Sequence, residues 1–120
     1  MTCRLLLLLL VLSNPFAPAG LVCPVPWAPV VASWYGPKFA GKTMANGEVF
    51  DPAALTVATR VHAFGQRLLL RRGSAMVVVE VTDRGPWIAG RGLDASQGVA
   101  ERLGFIEDGV VTLEVLALAE

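Results

Sequence analysis

The sequence predicts an all-β fold, a small closed β-barrel carrying one short α-helix. Three observations lead there. Short runs rich in β-branched and other apolar residues recur along the chain and are broken by glycine and proline. Only residues 97–103 carry both an N-terminal cap and a glycine stop, the marks of a helix. Nowhere do strands and helices alternate at the spacing a parallel βαβ sheet needs. Closing a mainly β sheet on itself is the arrangement that fits such a chain.

The elements follow in order. Arg4, the apolar run Leu5–Leu12 and the small-x-small triplet Ala17-Pro18-Ala19 read as a secretory signal, residues 1–19. The run is too short for a membrane anchor, which needs about 20 residues. Prolines 24, 26 and 29 then favour an extended linker over residues 20–30. The folded domain is expected over 31–118. Its first strand covers 30–35, and Gly36, Pro37 and Gly41 interrupt the pattern. Residues 36–54 form a long loop carrying Asn46-Gly47-Glu48, and a loop of that length in so small a domain usually has a task. Short strands are predicted at 55–59, 66–71 and 76–82, the last two joined by a turn at Arg72-Gly73-Ser74. The valine-rich run Met76–Val81 is the strongest strand signal in the chain. Asp83-Arg84-Gly85-Pro86 stops it abruptly, and residues 90–92 turn. Ser96 caps the helix, Gly104 suits the left-handed position at its end, and 110–117 is the last strand.

Composition narrows the function. The chain has 120 residues, enough for one domain, with 10 basic and 10 acidic side chains and no net charge. Nine of the basic and all of the acidic residues lie from Lys38 onward, so no basic surface points to nucleic acid. Of the two cysteines, Cys3 falls in the signal, which leaves Cys23 unpaired after cleavage and excludes a disulfide framework in a monomer. A lipid anchor on Cys23 is disfavoured, because Leu21 and Val22 put no small residue before it. The single histidine, His62, sits in no metal-ligand spacing, and no phosphate-binding or dinucleotide motif occurs. No metal and no cofactor are therefore expected.

The residues able to do chemistry are few. Glu48 lies in the long loop, Asp83 where the valine strand ends, and Asp94 just before the helix. A carboxylate fixed at a strand end beside Gly and Pro faces a rim, where glycan-cleaving enzymes place an acid and a base. Each has a plainer reading. Asp83 could close a turn on backbone N–H groups, Glu48 could be a solvated loop charge, and Asp94 could bond the start of the helix. Aromatic residues cluster nearby. Trp34, Tyr35 and Trp87, flanked by Gly and Pro, suit an exposed groove for sugar faces, whereas core packing suits Phe50 and Phe64 better.

These residues resemble a known family. Ala32-Ser33-Trp34-Tyr35-Gly36, Thr43-Met44-Ala45-Asn46-Gly47-Glu48-Val49-Phe50-Asp51, Ala54-Leu55-Thr56-Val57-Ala58 with Phe64-Gly65, Val81-Thr82-Asp83-Arg84-Gly85-Pro86, and Gly90-Arg91-Gly92-Leu93-Asp94-Ala95-Ser96 followed by Ala100–Gly104 occur in the order and spacing of the rare lipoprotein A (RlpA) family of lytic transglycosylases. The resemblance spans about 31–118. It implies a six-stranded double-psi β-barrel with an open groove, acting on peptidoglycan glycan strands and favouring strands stripped of stem peptides. In the implied reaction the C6 hydroxyl of N-acetylmuramic acid attacks its own C1, leaving a 1,6-anhydro end. Carried over by position, Asp83 is the acid/base and Glu48 the second acidic residue. Trp34, Tyr35, Arg84, Trp87, Asp94 and Ser96 are expected to bind substrate. One departure stands out. The family commonly has a His where this chain has Thr59, and His62 is offset by three residues, which on a strand points to the other face.

The expected function is thus a lytic transglycosylase, exported to the periplasm or cell envelope, monomeric, with the glycan as partner. The alternative is a non-catalytic, expansin-like peptidoglycan-binding protein, which Thr59 favours. A hydrolase for another β-1,4 glycan is a third reading. The chain carries no separate peptidoglycan-binding repeat after the barrel, so septal targeting by one is not expected.

Overall fold

The computed structural model describes residues 26–119. The proposed signal and Cys23 lie outside them.

Six strands form a closed barrel: β1 (Ala28–Trp34), β2 (Thr56–Thr59), β3 (Arg67–Arg72), β4 (Ala75–Asp83), β5 (Leu93–Ala95) and β6 (Val110–Ala117). Around the barrel the order is β1-β5-β2-β4-β3-β6. The β1–β5 and β2–β4 pairs are parallel and the other four antiparallel. The barrel is the expected double-psi type. Every strand has two neighbours, so the sheet leaves no full-length edge to attract another chain.

Alternation along the strands sets the core. In β4, Val77, Val79 and Val81 point inward while Met76, Val78 and Glu80 face out. Leu68 and Leu70 of β3, Leu113 and Val115 of β6, and Val57, Leu93 and Phe105 complete the interior. The β3–β4 hairpin turns at Gly73 and Ser74, where Gly73 takes φ 59°, a left-handed value that suits glycine.

The helix α1 (Gln97–Leu103) closes one flank with Val99, Ala100 and Leu103. Its ends are as expected. The Ser96 hydroxyl accepts from the Val99 N–H, and Gly104 ends the helix in the left-handed region. At Gly98 a Cβ would come within 2.7 Å of the Ala53 carbonyl oxygen, so a residue without a side chain is what lets the helix seat on the long loop.

Two elements differ from the sequence expectation. Strand β1 begins at Ala28, inside the stretch expected to be linker, and Pro29 pairs with Glu114 of β6. In that part β1 is matched to β6 alone, and a strand paired on one side has room for a residue that cannot donate. The second is β5, which the sequence does not predict: it places a turn at 90–92 and then the approach to the helix. Three residues between Gly92 and Ser96 are too few to display a period of two.

Candidate active site

Strand register creates the site. Ser33 of β1 is level with Asp94 of β5, Asp94 with Ala58 of β2, and Ala58 with Asp83 of β4. One row across four strands therefore reads Ser33, Asp94, Ala58, Asp83. The β2–β4 pairing slips between Val57 and Ala58, so Ala58 faces Asp83 instead of Thr82. This bulge brings Asp83 into line with Asp94. Two strand spacings separate the two backbones, about 10 Å, with the small Ala58 between them. Ala58, Asp83 and Asp94 all line one cleft of about 220 Å³, together with Tyr35, Phe39, Lys42, Thr43, Met44, Phe50 and Arg84.

Each carboxylate is held on one oxygen. Asp83 Oδ1 accepts from the Ala45 N–H and the Arg84 N–H, both at 2.9 Å. Asp94 Oδ1 accepts from the hydroxyl of buried Ser33. The Oδ2 atoms of both have no hydrogen-bond partner among the described residues. Asp94 thus sits mid-sheet and does not bond the helix start, as its sequence position had suggested; Ser96 alone does that.

The long loop makes the facing wall. It doubles back on itself through Met44 N–H to Glu48 O, Gly47 N–H to Met44 O, and a Thr43–Val49 bridge. The Asn46 N–H bonds the Thr82 carbonyl, left free by the bulge, and pins this turn over the end of β4. Glu48 stands on the exposed lip so formed. Its carboxylate accepts from the Asn46 side-chain amide at 2.6 Å, and it is not part of the cleft lining.

The floor is aromatic. Tyr35 meets Phe39 edge-to-face at 5.8 Å between centroids and Phe50 at 4.7 Å. The Tyr35 hydroxyl is buried with no hydrogen-bond partner among the described residues. Burial above all, and then the negative charges of Asp83 and Asp94, raise its pKa well above the ordinary tyrosine value, with the nearby Thr56 hydroxyl acting weakly the other way. The phenol therefore stays neutral, a donor and not an anion.

Arg84 is a structural staple that also borders the cleft. One guanidinium nitrogen donates to the carbonyls of Thr59 at 3.2 Å and His62 at 2.9 Å, and the group stacks 3.9 Å from the Phe64 ring centroid. Thr59 is buried, and its hydroxyl accepts from the His62 N–H. His62 lies in the bend after β2 and does not line the cleft.

Among the residues expected to bind substrate, Tyr35, Arg84 and Asp94 border the cleft, and Trp34, Trp87 and Ser96 do not. Alternation along β1 sends Ser33 and Tyr35 one way and Trp34 the other, where its indole N–H bonds the Ile106 carbonyl. Ser96 is fully buried, capping α1 and donating to the Ala54 carbonyl. Trp87 is 76% exposed on the loop after β4. Sequence reasoning passed over Ala58, which carries no chemistry yet sets the gap between two acids, and Lys42, whose only signal was its place in the long loop.

A family model described as "Lytic transglycolase" matches residues 28–115. The chain belongs to that family. The chain is 46% identical over 91 residues to a probable endolytic peptidoglycan transglycosylase RlpA of Synechocystis, covering 72% of this chain and 28% of the relative. It is 39% identical over 90 residues to the endolytic peptidoglycan transglycosylase RlpA of Campylobacter jejuni, covering 72% and 33%. The chain therefore spans about a third of the length of these relatives. Among solved structures, the fold matches an expansin of Clavibacter michiganensis with a TM-score of 0.64 at 19% identity, covering 78% of this chain and 51% of that one. The Streptomyces papain inhibitor matches equally well, at 0.64 and 17% identity, over 80% of this chain and all of that one. These two likenesses concern the barrel alone.

Proposed function

We propose that this domain is an exported lytic transglycosylase that cleaves the β-1,4 bond between N-acetylmuramic acid and N-acetylglucosamine in peptidoglycan. The observation that carries the reading is the pairing of Asp83 and Asp94 in one cleft floored by aromatic rings. Each acid has one oxygen fixed by the fold and one unbonded. The relatives named as endolytic peptidoglycan transglycosylases support it.

The chemistry needs few groups. Asp83, protonated, gives its proton to the glycosidic oxygen, and N-acetylglucosamine leaves with a free 4-hydroxyl. The same carboxylate then takes the proton of the muramic C6 hydroxyl as that oxygen bonds to C1. The ring closes as a 1,6-anhydro sugar, and Asp83 ends as it began. No water is consumed. Asp94, across Ala58, supplies negative charge to the oxocarbenium-like state between the two bonds. Glu48 meets the strand from the lip.

The test is Asp83→Asn, which keeps the size of the side chain. It should lower release of anhydro-ended oligosaccharides from peptide-free glycan strands by about 10²–10⁴-fold, with an unchanged circular dichroism spectrum. Full activity would reject the assignment. A second reading, a wall-binding protein without cleavage, draws on Thr59 in place of the family's His. Sacculus binding with no soluble product from the parent protein would favour it.

A further inference from the structure

Two ammonium groups share one ring at the mouth of the cleft. Lys38 Nζ lies 5.3 Å and Lys42 Nζ 5.4 Å from the centroid of Phe39. Both lysines are exposed, and neither has a carboxylate within ion-pair distance among the described residues. The arrangement is built into the backbone. Lys38 lies within a single 3-10 turn, Pro37–Phe39, and the Lys42 N–H bonds the Phe39 carbonyl, which fixes both stems beside the same ring. Phe39 in turn abuts Tyr35, whose hydroxyl feels the charges of both Asp83 and Asp94.

The cleft is therefore polarised. Acids stand in its sheet wall, and an uncompensated pair of cations stands one ring away on its loop wall. With no protein carboxylate paired to either ammonium among the described residues, an anion brought to this wall is attracted by both. The ring beneath offers an apolar face to a sugar and holds the ammoniums by cation–π attraction. Lysine is a point charge on a flexible stem, which suits an anion carried on a short mobile substituent better than a fixed planar partner.

From this we infer that Lys38, Phe39 and Lys42 form a subsite for a carboxylate borne on the glycan strand. The inference rests on the function proposed above and adds what the strand must carry. A muramyl residue offers such a group in two ways. Its lactyl ether ends in a free carboxylate when no peptide is attached, and a stem peptide presents carboxylates further from the ring. The position one ring from the acids favours the short lactyl group.

The experiment compares binding in the full chain carrying Asp83→Asn, with and without Lys38→Gln and Lys42→Gln together. The ligands are peptide-free glycan strands, strands bearing stem peptides, and peptide-free strands whose carboxyls have been reduced to alcohols. The double glutamine variant should bind peptide-free strands about tenfold more weakly at low salt, the sum of two exposed ion pairs, and should lose most of the salt dependence. On carboxyl-reduced strands the two proteins should bind alike. A loss confined to peptide-bearing strands would move the recognised carboxylate to the stem and overturn the lactyl assignment. Equal binding of both proteins to peptide-free strands, or an equal loss on reduced strands, would overturn the subsite itself. Failure of the Asp83→Asn parent to bind any strand would count against the proposed function, a result separate from the difference between the two proteins.

Discussion

Arg84 ties the Asp83 end of β4 to the bend after β2, and its removal should be felt in stability. The substitution is Arg84→Met, which keeps the length of the stem and deletes the guanidinium. Two hydrogen bonds from a cation to partly buried carbonyls are lost, those to Thr59 at 3.2 Å and His62 at 2.9 Å. The contact to the Asp83 carbonyl, at 3.5 Å, is at the limit and is not counted. Charge-assisted bonds contribute about 1.5–3 kcal/mol each when buried, and partial exposure places these at the lower end. The stacking on Phe64 adds about 0.5–1 kcal/mol. The total is about 3.5–4 kcal/mol, which in a domain of this size lowers Tm by about 15–30 °C. Thermal unfolding followed by far-ultraviolet circular dichroism measures it. Arg84→Lys should recover less than half of the loss, since its stem ends one bond short of the nitrogen that reaches both carbonyls and an ammonium has no planar face to stack on Phe64. A drop of less than about 3 °C for Arg84→Met would refute the staple.

Two further outcomes follow from the same geometry. Tyr35 is the chain's single tyrosine, so phenolate absorbance reads it alone; the folded protein should show no ionisation near pH 10, the ordinary value. Because its pKa is raised in the folded state, the associated stability is fully present below pH 10 and is lost as pH rises above it. Titration of Tyr35 at its ordinary value in the folded state would contradict its burial. Asp94→Asn should cut the rate by about 10²–10³-fold, as expected for removal of a fixed charge facing the reacting centre, whereas Glu48→Gln on the lip should cost no more than about fivefold, of the order of an exposed electrostatic contact. Muropeptide release under initial-rate conditions separates the two, and a larger loss at Glu48 would return the second acidic role to the lip.

What the sequence could and could not reveal has physical causes. The valine alternation of β4, the cap at Ser96 and the stop at Gly104 depend on near neighbours and are legible from the chain. Asp83 at the end of β4 was legible for the same reason. Its partnership with Asp94 was not, because it depends on a three-residue strand and on a one-residue slip between β2 and β4. Neither feature has a pattern long enough to read. Trp34 looked like a groove residue from its neighbours, yet its face is decided by the register of Ser33 against Asp94, which only the closed barrel fixes. The long loop was expected to have a task. Its actual contribution, two lysines on the loop wall and a turn pinned over Asp83, depends on backbone bonds with no residue pattern: Asn46 to the distant Thr82, and Phe50 with Gly41 and Lys42 inside the loop.

The most direct test of non-hydrolytic cleavage by Asp83 is digestion of peptide-free glycan strands in water enriched in oxygen-18, with the products weighed by mass spectrometry. Anhydro ends free of the heavy isotope are the predicted result, since the oxygen that closes the ring comes from the sugar itself. Reducing ends carrying one heavy oxygen would show that water is the nucleophile, and the account given for the cleft would be wrong.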